Sequence, residues 1–161
     1  MPSWLFTKIV SPVTGLLKQG LSPPKLAMVI ALGITLSVFP VIGTTTGLCA
    51  VVALLFRLNL PAIQVANYAA FPLQIMLFFP FLEIGEAVSG NSLGTISEDT
   101  LVSAFNAGFI EAIQELSGYL LLACLGWAIA AVPLFFVVYF IMKPLLQKYG
   151  AAVLPATPSG S

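Results

Sequence analysis

The chain has 161 residues, of which 59% are hydrophobic and only 7% charged, with a mean hydropathy of +1.05. A soluble domain carries roughly 25% charged residues, so this composition places the chain among integral membrane proteins. Six basic and six acidic residues cancel and no histidine is present, which removes the signature of a nucleic-acid or polyanion binder and the commonest general base and metal ligand.

Residues 1–20 are interrupted by Lys8 and Pro12 and lack a small-residue cleavage site, so they do not read as a cleavable signal. Thr7, Ser11, Thr14 and Lys18 form a polar stripe opposite Leu5, Ile9, Pro12 and Leu16. This predicts an amphipathic helix lying in the interface, with Trp4 at headgroup level. A Gly/Pro break over 20–24 follows, with Ser22 as a helix cap ahead of the prolines.

Leu26 to Phe56 is the stretch around which the rest is organised, an uncharged run bounded by Lys25 and Arg57 and broken by Pro40 and Gly43 ahead of Thr44, Thr45 and Thr46. A spanning helix needs about 20 apolar residues. The break leaves arms of roughly 14 and 13 residues, each near 20 Å, short of the roughly 30 Å hydrocarbon core. A re-entrant helical hairpin is the economical reading, and two short tilted spans are the alternative. Irregular backbone at that depth must be covered by protein or line a cavity. Pro40, Gly43, Gly47 and Pro72 read as hinge residues, and the Gly43-x-x-x-Gly47 spacing also offers a close-approach surface between helices.

Leu60 to Leu82 is long enough to span, and Pro61 fits its first turn. Gln64, Asn67, Phe71 and Gln74 share one face, and three amides against lipid would be costly, so that face should meet protein or water. Pro72 frees the Tyr68 carbonyl and predicts a kink. Residues 83–100 hold Glu83, Glu86, Glu98 and Asp99 without a base and read as an acidic outer loop. Residues 101–116 read as a second amphipathic helix, 119–142 as a second full span containing Pro133, and 150–161 as a disordered tail. The predicted class is therefore all-α and integral to the membrane, with a broken hairpin, two transmembrane helices and interfacial helices. With both termini cytoplasmic, Lys8, Lys18, Lys25, Arg57, Lys143 and Lys148 all lie inside, as the positive-inside bias prefers. Either reading of the hairpin yields the same sides.

No catalytic constellation emerges: there is no phosphate loop and no Ser or Cys nucleophile with a recognisable base. Cys49 and Cys124 sit in apolar runs as small hydrophobes, and Glu83/Glu86 and Glu111/Glu115 read as solvated faces. No enzyme, metal or cofactor is expected. Broken helices aimed into a midplane cavity hold charged substrates in many transporters. The candidate substrate-binding set is Arg57, Thr44, Thr45, Thr46, Gln64, Asn67 and Gln74. The alternative use of the same groups is helix capping, helix packing and snorkelling by Arg57.

Over residues 20–90 the chain resembles the bacterial membrane proteins of domain-of-unknown-function family 2062. The resemblance rests on Ser22, Pro23, Leu26 and Ala27, on Gly33, Pro40, Gly43 and Thr46, on Arg57-Leu58-Asn59 with Pro61-Ala62, and on Pro72 leading to Gly85. Phe71-Pro72 stands where that family often has Asn-Pro. The resemblance implies a bacterial inner-membrane location and no particular reaction; the hairpin also looks loosely like that of DedA-type lipid-carrier transporters. The expected function is a small transporter or lipid flippase handling an amphiphilic anion such as a lipid phosphate. Membrane lipids and further copies of the chain, as a homo-oligomer, are its expected partners. A non-transporting membrane scaffold or accessory subunit is the alternative.

Overall fold

The structure, a computed structural model, describes residues 22–91 and 116–153, with isolated positions 106, 108, 110 and 114 between them. The expected interfacial helix over 1–20, most of that over 101–116, and the last eight residues of the tail lie outside the described residues. Four α-helices make up the described fold: α1 (Pro23–Ser37), α2 (Thr45–Leu55), α3 (Leu60–Ser89) and α4 (Ser117–Val153).

The hairpin forms as the Pro/Gly punctuation predicts. Pro23 and Pro24 occupy the first turn of α1, where a missing N–H costs nothing. Ser22 contributes its carbonyl to Leu26 N–H but makes no side-chain cap. Near its end α1 tightens: Phe39 N–H donates to the Leu36 carbonyl at 3.2 Å. The chain then turns through buried Pro40 and through Gly43, whose φ of +88° is open to glycine at little cost. At 15 and 11 residues, α1 and α2 are about 22 and 16 Å long, both shorter than a roughly 30 Å apolar layer.

A Schellman turn closes α2: Leu58 N–H donates to the Ala53 carbonyl at 2.8 Å and Arg57 N–H to that of Leu54 at 3.3 Å. Asn59 then caps α3, its side-chain oxygen accepting from Ala62 N–H at 2.9 Å.

Among the described residues two helices are long and apolar enough to cross a membrane, α3 over its 30 residues and α4 over Ser117–Lys148. Both exceed the predicted spans. The helix runs past Leu82 to Ser89, so residues 83–89 of the expected acidic loop are helical. Leu82 and Gly85 are buried against α4, and the stop comes only at Gly90, left-handed at φ 70°, whose N–H donates to the Glu86 carbonyl. Pro72 and Pro80 stand inside this continuous helix, both exposed. Likewise α4 passes Met142 and continues through Pro144 to Val153, taking in the first residues of the expected tail.

Contacts give the directions. Gly33 meets Ile63 and Ala66, while Ser37 and Phe39 meet Asn67 and Gln74, so α1 runs parallel to α3. Against α4, α1 is antiparallel, since Leu26 clusters with Leu146 whereas Thr35 meets Trp127. Helices α3 and α4 cross where both lack side chains: a Cβ on Gly85 would fall on the Leu122 carbonyl, and one on Gly126 on the Phe81 carbonyl. Around Gly43 and Gly47, by contrast, a Cβ would meet nothing within 4 Å. Within the described chain the close approach predicted for Gly43-x-x-x-Gly47 is therefore made elsewhere, at Gly33, Gly85 and Gly126.

Two apolar clusters lie along the bundle. One unites Leu26, Ala53, Ala62, Ile63 and Leu146; the other unites Val38, Phe81, Leu82 and Ala123. The break in the hairpin lies toward the second.

Candidate functional site

Where α1 ends, its last carbonyls lose their helical partners, and side chains of the two long helices take them up. Phe39 N–H bonds to Leu36 rather than to Thr35, and the Thr35 carbonyl accepts from Trp127 Nε1 at 3.0 Å. The same indole stands edge-on to the Phe39 ring, centroids 4.9 Å apart. One residue before Pro40, the Phe39 carbonyl accepts from Gln74 Nε2 at 2.7 Å. Ser37 Oγ donates to the Asn67 carbonyl at 2.8 Å. On the far side of the turn, Gln64 Nε2 donates to the Thr46 carbonyl at 2.9 Å, and Asn67 Nδ2 to Gln64 Oε1 at 3.3 Å.

The amide face thus meets protein, as the cost of facing lipid requires, and what it meets is the hairpin itself. Asn67 and Gln74 are buried, whereas Phe71, on the flank of the stripe, is 44% exposed. The threonines divide. Thr44 turns its hydroxyl back to the Val41 carbonyl at 2.8 Å, Thr45 is buried and Thr46 is exposed. Among the described residues, three buried side-chain oxygens have no hydrogen-bond partner: Thr35 Oγ1, Asn67 Oδ1 and Gln74 Oε1. Two of these are amide oxygens, which only accept. Gln64 and Gln74 each give an N–H to the hairpin backbone, Asn67 gives one to Gln64, and the amide oxygens left without a partner are acceptors, the opposite of what an anion needs.

Arg57 is placed apart from this set. It lies at the C-terminal end of α2, whereas Thr44 to Thr46 lie at its N-terminal end, so the helix separates them by about 16 Å. The seven candidate residues therefore form two groups, an amide and threonine cluster at the hairpin turn and a solitary cation at the far end.

Residues 12–152 match a family described as an uncharacterized protein conserved in bacteria (DUF2062). That span includes all four helices except the last residue of α4. The chain belongs to this family. No curated protein and no solved structure matches it.

The match carries the resemblance beyond the first half of this DUF2062 protein and takes in α4, which supplies Trp127. Sequence reasoning missed Thr35, Ser37, Phe39 and Trp127 as members of the turn cluster. A signal for Trp127 existed: tryptophan favours membrane interfaces, and its indole N–H usually finds an acceptor when buried. A tryptophan in the middle of an apolar helix therefore asks for a carbonyl freed by another helix's break.

Arg57 is the only described non-glycine residue with a positive φ, at 51°. It occupies the position of the Schellman turn where glycine is usual, and the left-handed conformation costs an ordinary residue roughly 1 kcal/mol. Arg57→Gly should accordingly raise stability by about 1 kcal/mol in thermal unfolding of the detergent-solubilised protein. A decrease would mean that the arginine side chain holds the turn together.

Proposed function

We propose that this DUF2062 protein is a multi-pass protein of the bacterial inner membrane in which α1 and α2 form a hairpin re-entering from the cytoplasmic side. We propose that it acts there as a small transporter or lipid flippase for an amphiphilic anion. The observation that carries this reading is the end of α1 just before the break, where Gln74 takes up the Phe39 carbonyl and Trp127 that of Thr35 while Ile42 to Thr44 of the turn stay exposed within the described chain. Broken helices tied to long neighbours are the recurrent transporter device, and irregular backbone in an apolar layer persists only with such partners. A predominantly exposed α4 supports a lipid-facing or copy-facing exterior. So small a chain needs further copies to enclose a path, most simply a symmetric homo-oligomer.

The test is headgroup exchange in proteoliposomes. Vesicles holding the full chain should move a fluorescent anionic lipid between leaflets faster than protein-free vesicles. Equal rates would overturn transport. That result would leave the second reading, a membrane scaffold, which the bonds from Gln64 and Gln74 to the hairpin backbone support.

Re-entry is tested separately. In a background with Cys49 and Cys124 replaced by alanine, Ile42→Cys should resist a membrane-impermeant thiol reagent supplied from the outer face. Ready modification there would establish two short full spans.

A further inference from the structure

The described charges are sorted by sign along the bundle. Lys25 and Arg57 adjoin Leu26 and Leu58, and Lys143 and Lys148 flank Leu146; Leu26, Leu58 and Leu146 all pack into the same apolar cluster. Glu83 and Glu86 lie at the opposite end, beside Leu82 and Ile84 of the other cluster. One end of the molecule thus presents four described cations from α1, the α2–α3 connection and α4, and the other end presents carboxylates.

Within the basic end Arg57 is singular. It keeps a backbone conformation that favours glycine, it is exposed, and no ion pair engages it among the described residues. Immediately before it Leu54, Leu55 and Phe56 are 73, 72 and 68% exposed. Arg57 thus follows directly on three exposed apolar residues at the end of α2. Guanidinium forks match the oxygens of phosphate two at a time, and exposed apolar side chains at the same helix end suit acyl chains. Inorganic phosphate uses only the first feature, and a zwitterionic lipid, whose phosphate is offset by its own cation, gains less from the surrounding lysines.

We infer that the Arg57 corner binds the phosphate headgroup of an anionic lipid, the chains lying along Leu54, Leu55 and Phe56 and the neighbouring lysines adding attraction at longer range. This rests on the membrane reading above, and it moves the headgroup from the turn cluster, whose unpartnered amide atoms are oxygens, to the end of the bundle that offers charged donors. It also explains the arginine at a glycine position: the residue costs conformational energy that a merely structural turn would save.

The experiment uses the full chain with vesicles of chain-matched phosphatidylcholine, alone or mixed equally with phosphatidylglycerol, followed by detergent extraction and quantification of the retained lipid by native mass spectrometry. Wild type should retain phosphatidylglycerol over phosphatidylcholine. Arg57→Gln should lower that preference about tenfold, because it removes the charge that favours a net-anionic lipid over a zwitterionic one. Arg57→Lys, which keeps the charge but not the fork, should fall between them. Arg57→Gly separates binding from folding, because it relaxes the backbone and should unfold at higher temperature while losing the preference. Equal retention of both lipids by wild type, or an unaltered preference in Arg57→Gln, overturns the inference. Loss of retained phosphatidylglycerol on adding millimolar glycerol phosphate would assign the corner to a soluble phosphate instead, again overturning it. A chain that sediments with neither kind of vesicle ends the membrane reading itself, whereas one that inserts into both without preference ends only the lipid assignment.

Discussion

Gly126→Ala should cost the fold at least about 3 kcal/mol, read as a fall in the midpoint of unfolding by SDS or heat in detergent. At the crossing of α3 and α4 the added methyl would land on the Phe81 carbonyl and within 3.0 Å of Gly85 N. Both are backbone atoms within a 30-residue helix, so no rotamer change relieves the clash. The helices must move apart, and separation uncovers Phe81, Leu82 and Ala123 together. Gly85→Ala should behave in the same way, since its methyl would fall on the Leu122 carbonyl. Gly47→Ala is the contrasting case. It has open space around it and sits within a helix, where alanine is favoured over glycine by roughly 0.5–1 kcal/mol. That variant should be neutral or slightly stabilised. A large loss at position 47 would show that its surface is covered by another copy, and equal tolerance at 47 and 126 would contradict the crossing described here.

Gln74→Leu should destabilise by about 1–3 kcal/mol, the cost of a buried acceptor left without its donor. The volume is nearly kept, so the loss falls on the Phe39 carbonyl, which receives its 2.7 Å bond from this side chain. With the carbonyl freed inside an apolar bundle, the turn should open locally. A cysteine at Val38, which is fully buried beside Phe39, then gains reactivity toward a thiol reagent in detergent as the midpoint falls. Gln74→Glu should be tolerated while the buried acid stays protonated and can still donate, and should destabilise as rising pH ionises it. If Gln74→Leu left both the midpoint and the labelling unchanged, the amide stripe would not be the lock on the hairpin.

The comparison of these two sites explains how far the residues alone could be read. Gln64, Asn67 and Gln74 are recognisably co-facial from their spacing, and the cost of exposing amides says that the face is covered. The identity of the cover is not written in that spacing. It depends on α1 ending where its Thr35 and Phe39 carbonyls come level with Trp127 and Gln74 on two other helices. The glycines make the same point. Gly43-x-x-x-Gly47 satisfies the small-residue pattern yet faces open space, whereas Gly85 and Gly126, far apart in the chain, form the tight crossing. A motif within one helix records permission for close approach, and only the partner helix uses it. The end of α3 was more legible than its predicted boundary at Leu82, because Ser89-Gly90-Asn91 is a recognisable glycine stop. Charge at Glu83 and Glu86 does not end a helix whose inner face still has Gly85 to bury.

From composition and punctuation alone follow the apolar character of the helices, the break at Pro40 and Gly43, the start of α3 after Asn59 and the shared face of the amides. These are local matters, governed by side-chain chemistry and by what the backbone tolerates at proline and glycine. Three-dimensional packing alone decided that the amide donors close the hairpin turn, that Arg57 stands a helix length away among the cations, and that Gly85 and Gly126 carry the crossing. Each depends on which surfaces of distant segments meet, and spacing within one segment holds no information about its partner.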